Sequence, residues 1–264
     1  MRKTIQDLYN MKKKGEKIAA VTAYDYSMAK IFDRAGIDFI LMGDSMGMVV
    51  LGEDTTLKVT MSDVINHTRA VVKGSENCFV AADMPFLSFQ ISINKAIENA
   101  GKIIQKTGCS AVKIEGRHID LTKKLVKIGI PVVAHLGFTP QSTKQFGKNI
   151  VRGKSETERD YIIDSSQKLE KAGACILVLE AVPENLAGKI SNELSIPVIG
   201  IGSGRKCDGE IQVCYDILGL YPDFKPKHCK VFNDAGRSVK NGIEKYINEV
   251  KNGKFPGEEN VLKK

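Results

Sequence analysis

Residues 172–183 read Ala172-Gly173-Ala174-Cys175-Ile176-Leu177-Val178-Leu179-Glu180-Ala181-Val182-Pro183. Gly173 follows a segment of helical periodicity, the place where a left-handed glycine ends a helix. The apolar run Cys175 to Leu179 is short enough for a buried strand, Glu180 stops it, and Pro183 is placed to open the next helix. A strand with no polar face needs cover on both sides, which a parallel sheet flanked by helices supplies. The same order recurs outward in both directions. Ala35-Gly36-Ile37-Asp38 and Thr107-Gly108-Cys109-Ser110 repeat the glycine exit, while Gly129-Ile130-Pro131 and Ser195-Ile196-Pro197 lead into strands through proline. The strands predicted in this way are Ile18 to Thr22, Phe39 to Met42, Phe79 to Ala82, Ala111 to Ile114, Val132 to Ala134, Cys175 to Leu179, Val198 to Ile201 and Ile211 to Val213.

Eight units in 264 residues leave roughly 33 residues each, enough for a strand, a helix and two loops, and about 250 residues is the usual size of a (β/α)8 barrel. The expectation is therefore α/β: a single (β/α)8 TIM barrel domain over residues 1–264 with an N-terminal helix. The rival, an open doubly wound sheet, usually has a glycine-rich first turn, and no GxGxxG follows Ile18 to Thr22. No Pro-, Gly- or Ser-rich linker divides the chain, and no internal repeat is visible.

With 42% hydrophobic and 27% charged residues, the chain has the composition of a globular protein and not of a disordered or collagen-like one. No window approaches the ~18 apolar residues of a membrane span, and Met1 to Lys17 lacks the apolar core of a secretory signal, so a cytoplasmic protein with no membrane partner is expected. The six cysteines form no CxxC pair and mostly lie in apolar runs, as buried reduced thiols do. The net charge of +8 comes from lysines spread along the chain. Without a recognisable nucleic-acid module, that charge favours an anionic small-molecule substrate over nucleic acid.

In a barrel the chemistry lies where strands end. Those ends carry Tyr24 and Asp25, Gly43-Asp44-Ser45, Asp83, Glu115, His135, Glu180 and Gly200-Ile201-Gly202-Ser203-Gly204. Asp44, Asp83 and Glu115, on successive strands, form an all-oxygen set of the kind that suits Mg2+; each taken singly would serve as a helix cap or an ion-pair partner. Lys113 precedes Glu115 by two residues, so both face the barrel interior, where an ammonium needs an anion. It would bind a substrate carboxylate, stabilise an enolate, form a Schiff base, or only pair with Glu115. Glu180 ends an apolar run, a setting that disfavours a charged carboxylate and suits a general base, with helix capping as the alternative. His135 would donate a hydrogen bond to substrate or rest as a satisfied, half-buried histidine. The Gly200 to Gly204 segment would cradle a phosphate or allow close packing at the rim.

Seven segments, in order and at matching spacing, resemble the ketopantoate hydroxymethyltransferase family from about Thr4 through Glu258. They are Val21-Thr-Ala-Tyr-Asp25, Gly43-Asp-Ser-Met-Gly47, Asp83-Met-Pro-Phe86, Val112-Lys-Ile-Glu-Gly116, His135-Leu-Gly-Phe-Thr-Pro-Gln-Ser142, Leu177-Val-Leu-Glu180 and Pro197-Val-Ile-Gly-Ile-Gly202. The resemblance implies a (β/α)8 barrel assembled as a homo-oligomer, a homodecamer in many members. It also implies transfer of a hydroxymethyl group from 5,10-methylenetetrahydrofolate to 3-methyl-2-oxobutanoate in pantothenate synthesis, through an enolate stabilised by one Mg2+ per subunit. Residue by residue, it implies Asp44 and Asp83 as Mg2+ ligands that also meet substrate, and Glu115 as a further metal-site carboxylate often acting through water. Ser45 and Lys113 would bind the oxo acid and Glu180 would be the base, while His135 is expected among the substrate contacts from its place at a strand end. Departures at Ser203, Ala134, Met46 and Phe138 are conservative and touch no charged position. The competing possibilities are another Mg2+-dependent barrel acting on 2-oxo acids, such as the phosphoenolpyruvate mutase and isocitrate lyase relatives, a folate-free aldolase, or a non-catalytic anion binder.

Overall fold

Strands that are apolar on both faces leave no edge for water, and here they close on one another. The computed structural model describes residues 2–147, 151–221 and 226–262. In it β1 (Ile18–Thr22), β2 (Phe39–Met42), β3 (Phe79–Asp83), β4 (Ala111–Glu115), β5 (Val132–Gly137), β6 (Ile176–Glu180), β7 (Val198–Ile201) and β8 (Gly209–Gln212) form a closed barrel in chain order. All neighbouring pairs are parallel, and β8 returns to β1 with Ile18 opposite Gly209. This is a (β/α)8 TIM barrel, as expected. The helices are α1 (Ile5–Lys14), α2 (Tyr26–Arg34), α3 (Met46–Val49), α4 (Met61–Gly74), α5 (Ile93–Thr107), α6 (Ile119–Lys127), α7 (Thr143–Phe146), α8 (Glu156–Lys171), α9 (Glu184–Glu193), α10 (Cys214–Ile217) and α11 (Ala235–Lys251). Between β7 and β8 a loop takes the place of a helix.

The chain divides into two compact units, Met1–Val213 and Cys214–Lys264, and all eight strands belong to the first. The second carries α10 and α11; Asp234 caps α11 by accepting from the Arg237 N–H at 3.2 Å, and Tyr246 meets Phe255 edge-on at 5.7 Å. Among the described residues no helix is long and apolar enough to cross a membrane.

Several strands run further than their apolar residues predict. β3, β4 and β6 include Asp83, Glu115 and Glu180, β5 continues to Gly137, and the last strand is Gly209–Gln212 instead of Ile211 to Val213. The ladder is made by the backbone, so a polar side chain does not end it. Met84 N–H donates to Lys113 O at 2.9 Å, Gly116 N–H to His135 O at 2.8 Å and Phe138 N–H to Glu180 O at 2.8 Å.

The two-residue period of the strands stacks the interior in layers. Ile18, Phe39, Phe79, Ala111 and Ile176 fill the amino end, and Ala20, Leu41, Ala81, Val133, Val178, Ile199 and Ile211 continue the same apolar cluster. Two residues further along the strands come Thr22, Gly43, Asp83, Lys113, His135 and Glu180. The interior therefore turns from apolar to charged along its axis. α1 closes the apolar end: Leu8 is fully buried in that cluster, Ile5 and Met11 pack against it, and Lys12 Nζ donates to Asp208 Oδ2 at 2.7 Å and Ser191 O at 2.8 Å. Phe39 and Phe79 meet edge-on at 5.5 Å beneath it.

Because Leu8 has no exposed surface, Leu8→Ala should leave a cavity at the amino end of the barrel. A loss of about 2–5 kcal/mol is expected, measured as a lower denaturant midpoint with unchanged slope.

Candidate active site

The charged layer gathers most of the residues singled out in the sequence. Asp83 and Lys113 are register partners on β3 and β4, Glu115 and His135 on β4 and β5, and Gly137 and Glu180 on β5 and β6. Asp44, Asp83, Lys113, Glu115 and His135 are all buried, whereas the Glu180 side chain keeps 19% of its surface open. Lys113 Nζ donates to Asp83 Oδ1 and lies 3.5 Å from Glu115 Oε1. Asp44 N–H donates to Asp83 Oδ2 at 3.0 Å. His135 stands between two carboxylates, with Nδ1 3.4 Å from Glu115 Oε1 and Nε2 3.3 Å from Glu180 Oε2. Neither approach is an aligned hydrogen bond, and both ring nitrogens lack such a partner among the described residues.

Ser45, at the start of α3, lies 2.8 Å from the Tyr24 hydroxyl, which in turn accepts from Thr22 Oγ1 at 2.7 Å. Gly43 leaves room beside them: a Cβ there would sit 3.0 Å from Ser45 Oγ and 3.5 Å from Asp83 Oδ2. Around Glu180 the backbone is constrained more tightly. Gly137 has φ +94°, and a Cβ on it would lie 2.2 Å from Glu180 O. Ala181 turns the chain at φ +51°, an uncommon conformation for a residue with a side chain.

Local capping does not account for these carboxylates. α9 begins after Pro183 with no side-chain cap, so Glu180 caps nothing, while Asp25, the other acid near β1, does cap α2 through Met28 N–H at 2.9 Å. The Gly200–Gly204 segment serves packing. Ser203 Oγ donates to Leu179 O at 2.7 Å and accepts from Val182 N–H at 3.2 Å, and Arg205 N–H is taken by Glu184.

Burial and mutual charge set the protonation of the cluster. Asp44 is pushed well above the usual carboxylate range by burial first, then by Asp83 and Glu115, against the pull of Lys113. Asp83 is also raised by burial, with Lys113 opposing. Burial acts the same way on Glu115, but Lys113 and His135 outweigh it and hold that carboxyl low. Burial would deprotonate Lys113, yet Asp83, Glu115 and Asp44 together keep it charged. His135, disfavoured as a cation by burial and Lys113, is lifted to about 9 by Glu115 and Glu180.

Three buried carboxylates and Glu180 face the Lys113 ammonium and the His135 ring, so carboxylates outnumber cations, and such a set of oxygen donors fits a hard divalent cation. Among the described residues no three Asp, Glu, His or Cys side chains form a ready-made metal-binding group. Lys113 already occupies oxygens of Asp83 and Glu115, which leaves a cation to be shared between one or two carboxylates, substrate oxygens and water, as Mg2+ commonly is. Cys78, Cys109, Cys175 and Cys207 all precede strands, at the opposite end of the barrel. Burial raises the thiols of Cys78, Cys175 and Cys207 to about 12, so none of the three is a nucleophile for this site.

Sequence reasoning gave no role to Gln141, which is buried among the carboxylates, and it noted Tyr24 and Ser45 at strand ends without the hydroxyl chain Thr22–Tyr24–Ser45 that joins them. The available signal was a glutamine with no apparent surface role, directly after Pro140 in the turn that follows β5.

Residues 2–258 match the family model described as ketopantoate hydroxymethyltransferase. A 3-methyl-2-oxobutanoate hydroxymethyltransferase from Clostridium botulinum (strain Langeland) is 50% identical over 265 residues, covering 100% of this chain and 96% of that protein. One from Caldicellulosiruptor bescii is 48% identical, covering 97% of each. Among solved structures, a phosphoenolpyruvate phosphomutase from Streptomyces platensis subsp. rosaceus superposes with a TM-score of 0.63 at 12% identity, over 99% of this chain and 92% of that one. A phosphonopyruvate hydrolase in complex with oxalate and Mg2+ gives 0.61 at 13% identity, over 99% and 92%. At such identities these structures are similar in fold alone.

The His135 shift predicts a pH dependence for the metal-free protein. A group whose value rises from 6.5 unfolded to about 9 folded contributes stability that is whole below pH 6.5 and is lost as pH climbs through 9. The urea midpoint should fall across that window, and His135→Gln should flatten the fall.

Proposed function

The chain belongs to the ketopantoate hydroxymethyltransferase family and is an enzyme of it, and from that premise we propose that it transfers a hydroxymethyl group from 5,10-methylenetetrahydrofolate to 3-methyl-2-oxobutanoate. The product is ketopantoate, on the route to pantothenate and coenzyme A. The observation that carries the chemistry is the Lys113 ammonium held among buried carboxylates, with the partly open Glu180 standing across His135. Asp44 and Asp83 would hold Mg2+, with Glu115 supporting the site through water. A divalent cation bound there draws electron density from the 2-oxo group of the substrate and makes its C3 proton more acidic. Support for it comes from the surplus of buried negative charge and from the Mg2+ and oxalate in the hydrolase of similar fold.

Lys113 and Ser45 receive the oxo acid, so the ammonium lies beside the oxygen on which negative charge grows. Glu180 takes the C3 proton, and the electron pair of that C–H bond moves into the C2–C3 bond of the enolate. His135, with Nδ1 3.4 Å from Glu115 Oε1 and Nε2 3.3 Å from Glu180 Oε2, would donate a hydrogen bond to the oxo acid. Asp44 and Asp83 stay on the face where the oxo acid binds. The enolate carbon then bonds to the methylene carbon of the folate as one of its two C–N bonds breaks. Water bonds to the same carbon as the second C–N bond breaks, so the hydroxymethyl group stays on the oxo acid. The C3 proton and one proton of water end on the two nitrogens of the departing tetrahydrofolate. Every residue given a role lies within Met1–Val213. The proposal includes one Mg2+ per subunit, a homo-oligomer such as a decamer, and a cytoplasmic setting in which buried thiols stay reduced.

Proton NMR of 3-methyl-2-oxobutanoate in D2O tests both halves. The protein with Mg2+ should exchange the C3 proton, and a hydroxymethyl signal should appear only with methylenetetrahydrofolate. Turnover with free formaldehyde and indifference to folate would point to an aldolase instead. Glu180→Gln should abolish exchange while cation binding persists, and full exchange by that variant would remove Glu180 from the base role.

A further inference from the structure

Gln141 has no role in the proposed reaction, yet it contacts two of the buried carboxylates, Asp44 and Glu115. It lies in the single helical turn Pro140–Ser142 after β5 and is 6% exposed. Its side-chain Nε2 donates to Asp44 Oδ2 at 3.0 Å and to Met84 O at 2.9 Å. Its Oε1 accepts from Gln90 Nε2 at 3.1 Å, and its main-chain N–H donates to Glu115 Oε2 at 2.9 Å. One residue thus binds two of the three buried carboxylates, one through its side chain and one through its backbone.

These contacts admit one orientation of the amide. Turned by 180°, Oε1 would face the Asp44 carboxylate and the Met84 carbonyl, while Nε2 would face the Gln90 donor, so all three contacts would become repulsive. With Oδ2 held by Gln141 and its main-chain N–H committed to Asp83, Asp44 cannot rotate its carboxylate freely. The amide is also neutral. It therefore aims Asp44 without adding a second positive charge that would compete with a cation, as a lysine at this position would.

We propose that Gln141 is a positioning residue for cation binding: it orients the Asp44 carboxylate toward a divalent metal, and Gln90 fixes the amide that does so. This rests on Asp44 being a metal ligand. Outer partners of this kind typically change metal affinity by about 10–100-fold when removed, because the ligand must then be ordered at the moment of binding.

The test is titration of the full-length protein with Mn2+, without substrate, followed by electron paramagnetic resonance of the free ion. Gln141→Met keeps the length of the side chain and removes its donors. Its Kd for Mn2+ should rise about 10–100-fold, and the Mg2+ concentration giving half-maximal activity should rise in parallel. Loss of thermal stability with an unchanged Kd would overturn the proposal, since a merely structural glutamine would behave that way. Should Gln141→Met not fold, Gln90→Leu at its exposed loop position decides: a several-fold rise in Kd supports the assignment, and no change overturns it. Asp44→Asn separates the two layers. If it binds Mn2+ as tightly as the natural protein, the ligand assignment falls and the proposal with it. If it loses binding while Gln141→Met keeps it, only the positioning role falls.

Discussion

One ammonium permits the burial of three carboxylates. Lys113 Nζ contacts Asp83 and Glu115, and its charge also opposes the upward push on Asp44. Removing one partner from such a buried set typically costs about 3–5 kcal/mol, because the other charges are then left uncompensated away from water. The arrangement is nevertheless a poor way to stabilise a barrel, since well-packed apolar side chains at the same positions often do as well or better. Charges kept in so unfavourable a setting are best understood through what they can bind and which protons they can move.

The barrel separates that demand from the demands of folding. Its amino end is apolar and closed, with Leu8 of α1 over Phe39 and Phe79 and with the Lys12 to Asp208 ion pair at the margin. Its carboxyl end holds the charged layer, reached on β3, β4, β5 and β6 by continuing the strand two residues beyond its last apolar inward position. Chemistry can thus vary at one end while the other carries the packing, a division the fold allows because the βα loops make few of the core contacts. Gly137 and Ala181 mark where the two requirements meet, since the close backbone approach on either side of Glu180 is bought with unusual dihedral angles.

Much of this was legible in the residues. The glycine exits, the short apolar runs and their spacing predicted eight parallel strands, and β1, β2 and β7 have the predicted limits. The other strands extend beyond prediction or shift because apolar character marks burial, whereas strand extent follows backbone hydrogen bonds, which Asp83, Glu115 and Glu180 make as readily as valine does. Asp44, Asp83, Lys113, Glu115, His135 and Glu180 were visible as polar residues at strand ends. The role of Gln141 was not, because a neutral side chain in a turn carries no mark of the partner it will meet, and Tyr24 was visible at its strand end without the hydroxyl chain it joins.

Local order in this protein was determined by the sequence by itself: the alternation of strands and helices, which strand faces are apolar, and that Lys113 and Glu115 must share a face two residues apart. Those properties depend on neighbours along the chain, through backbone sterics and side-chain periodicity. Which charges face which was decided only by the tertiary structure. Asp44 and Gln141 are 97 residues apart and meet at 3.0 Å, and His135 comes to stand between Glu115 and Glu180, because closing the barrel sets its strand register and brings the loops after β2 and β5 over one end. Electrostatic interaction depends on distance in space and on exclusion of water, and neither is defined until the barrel closes.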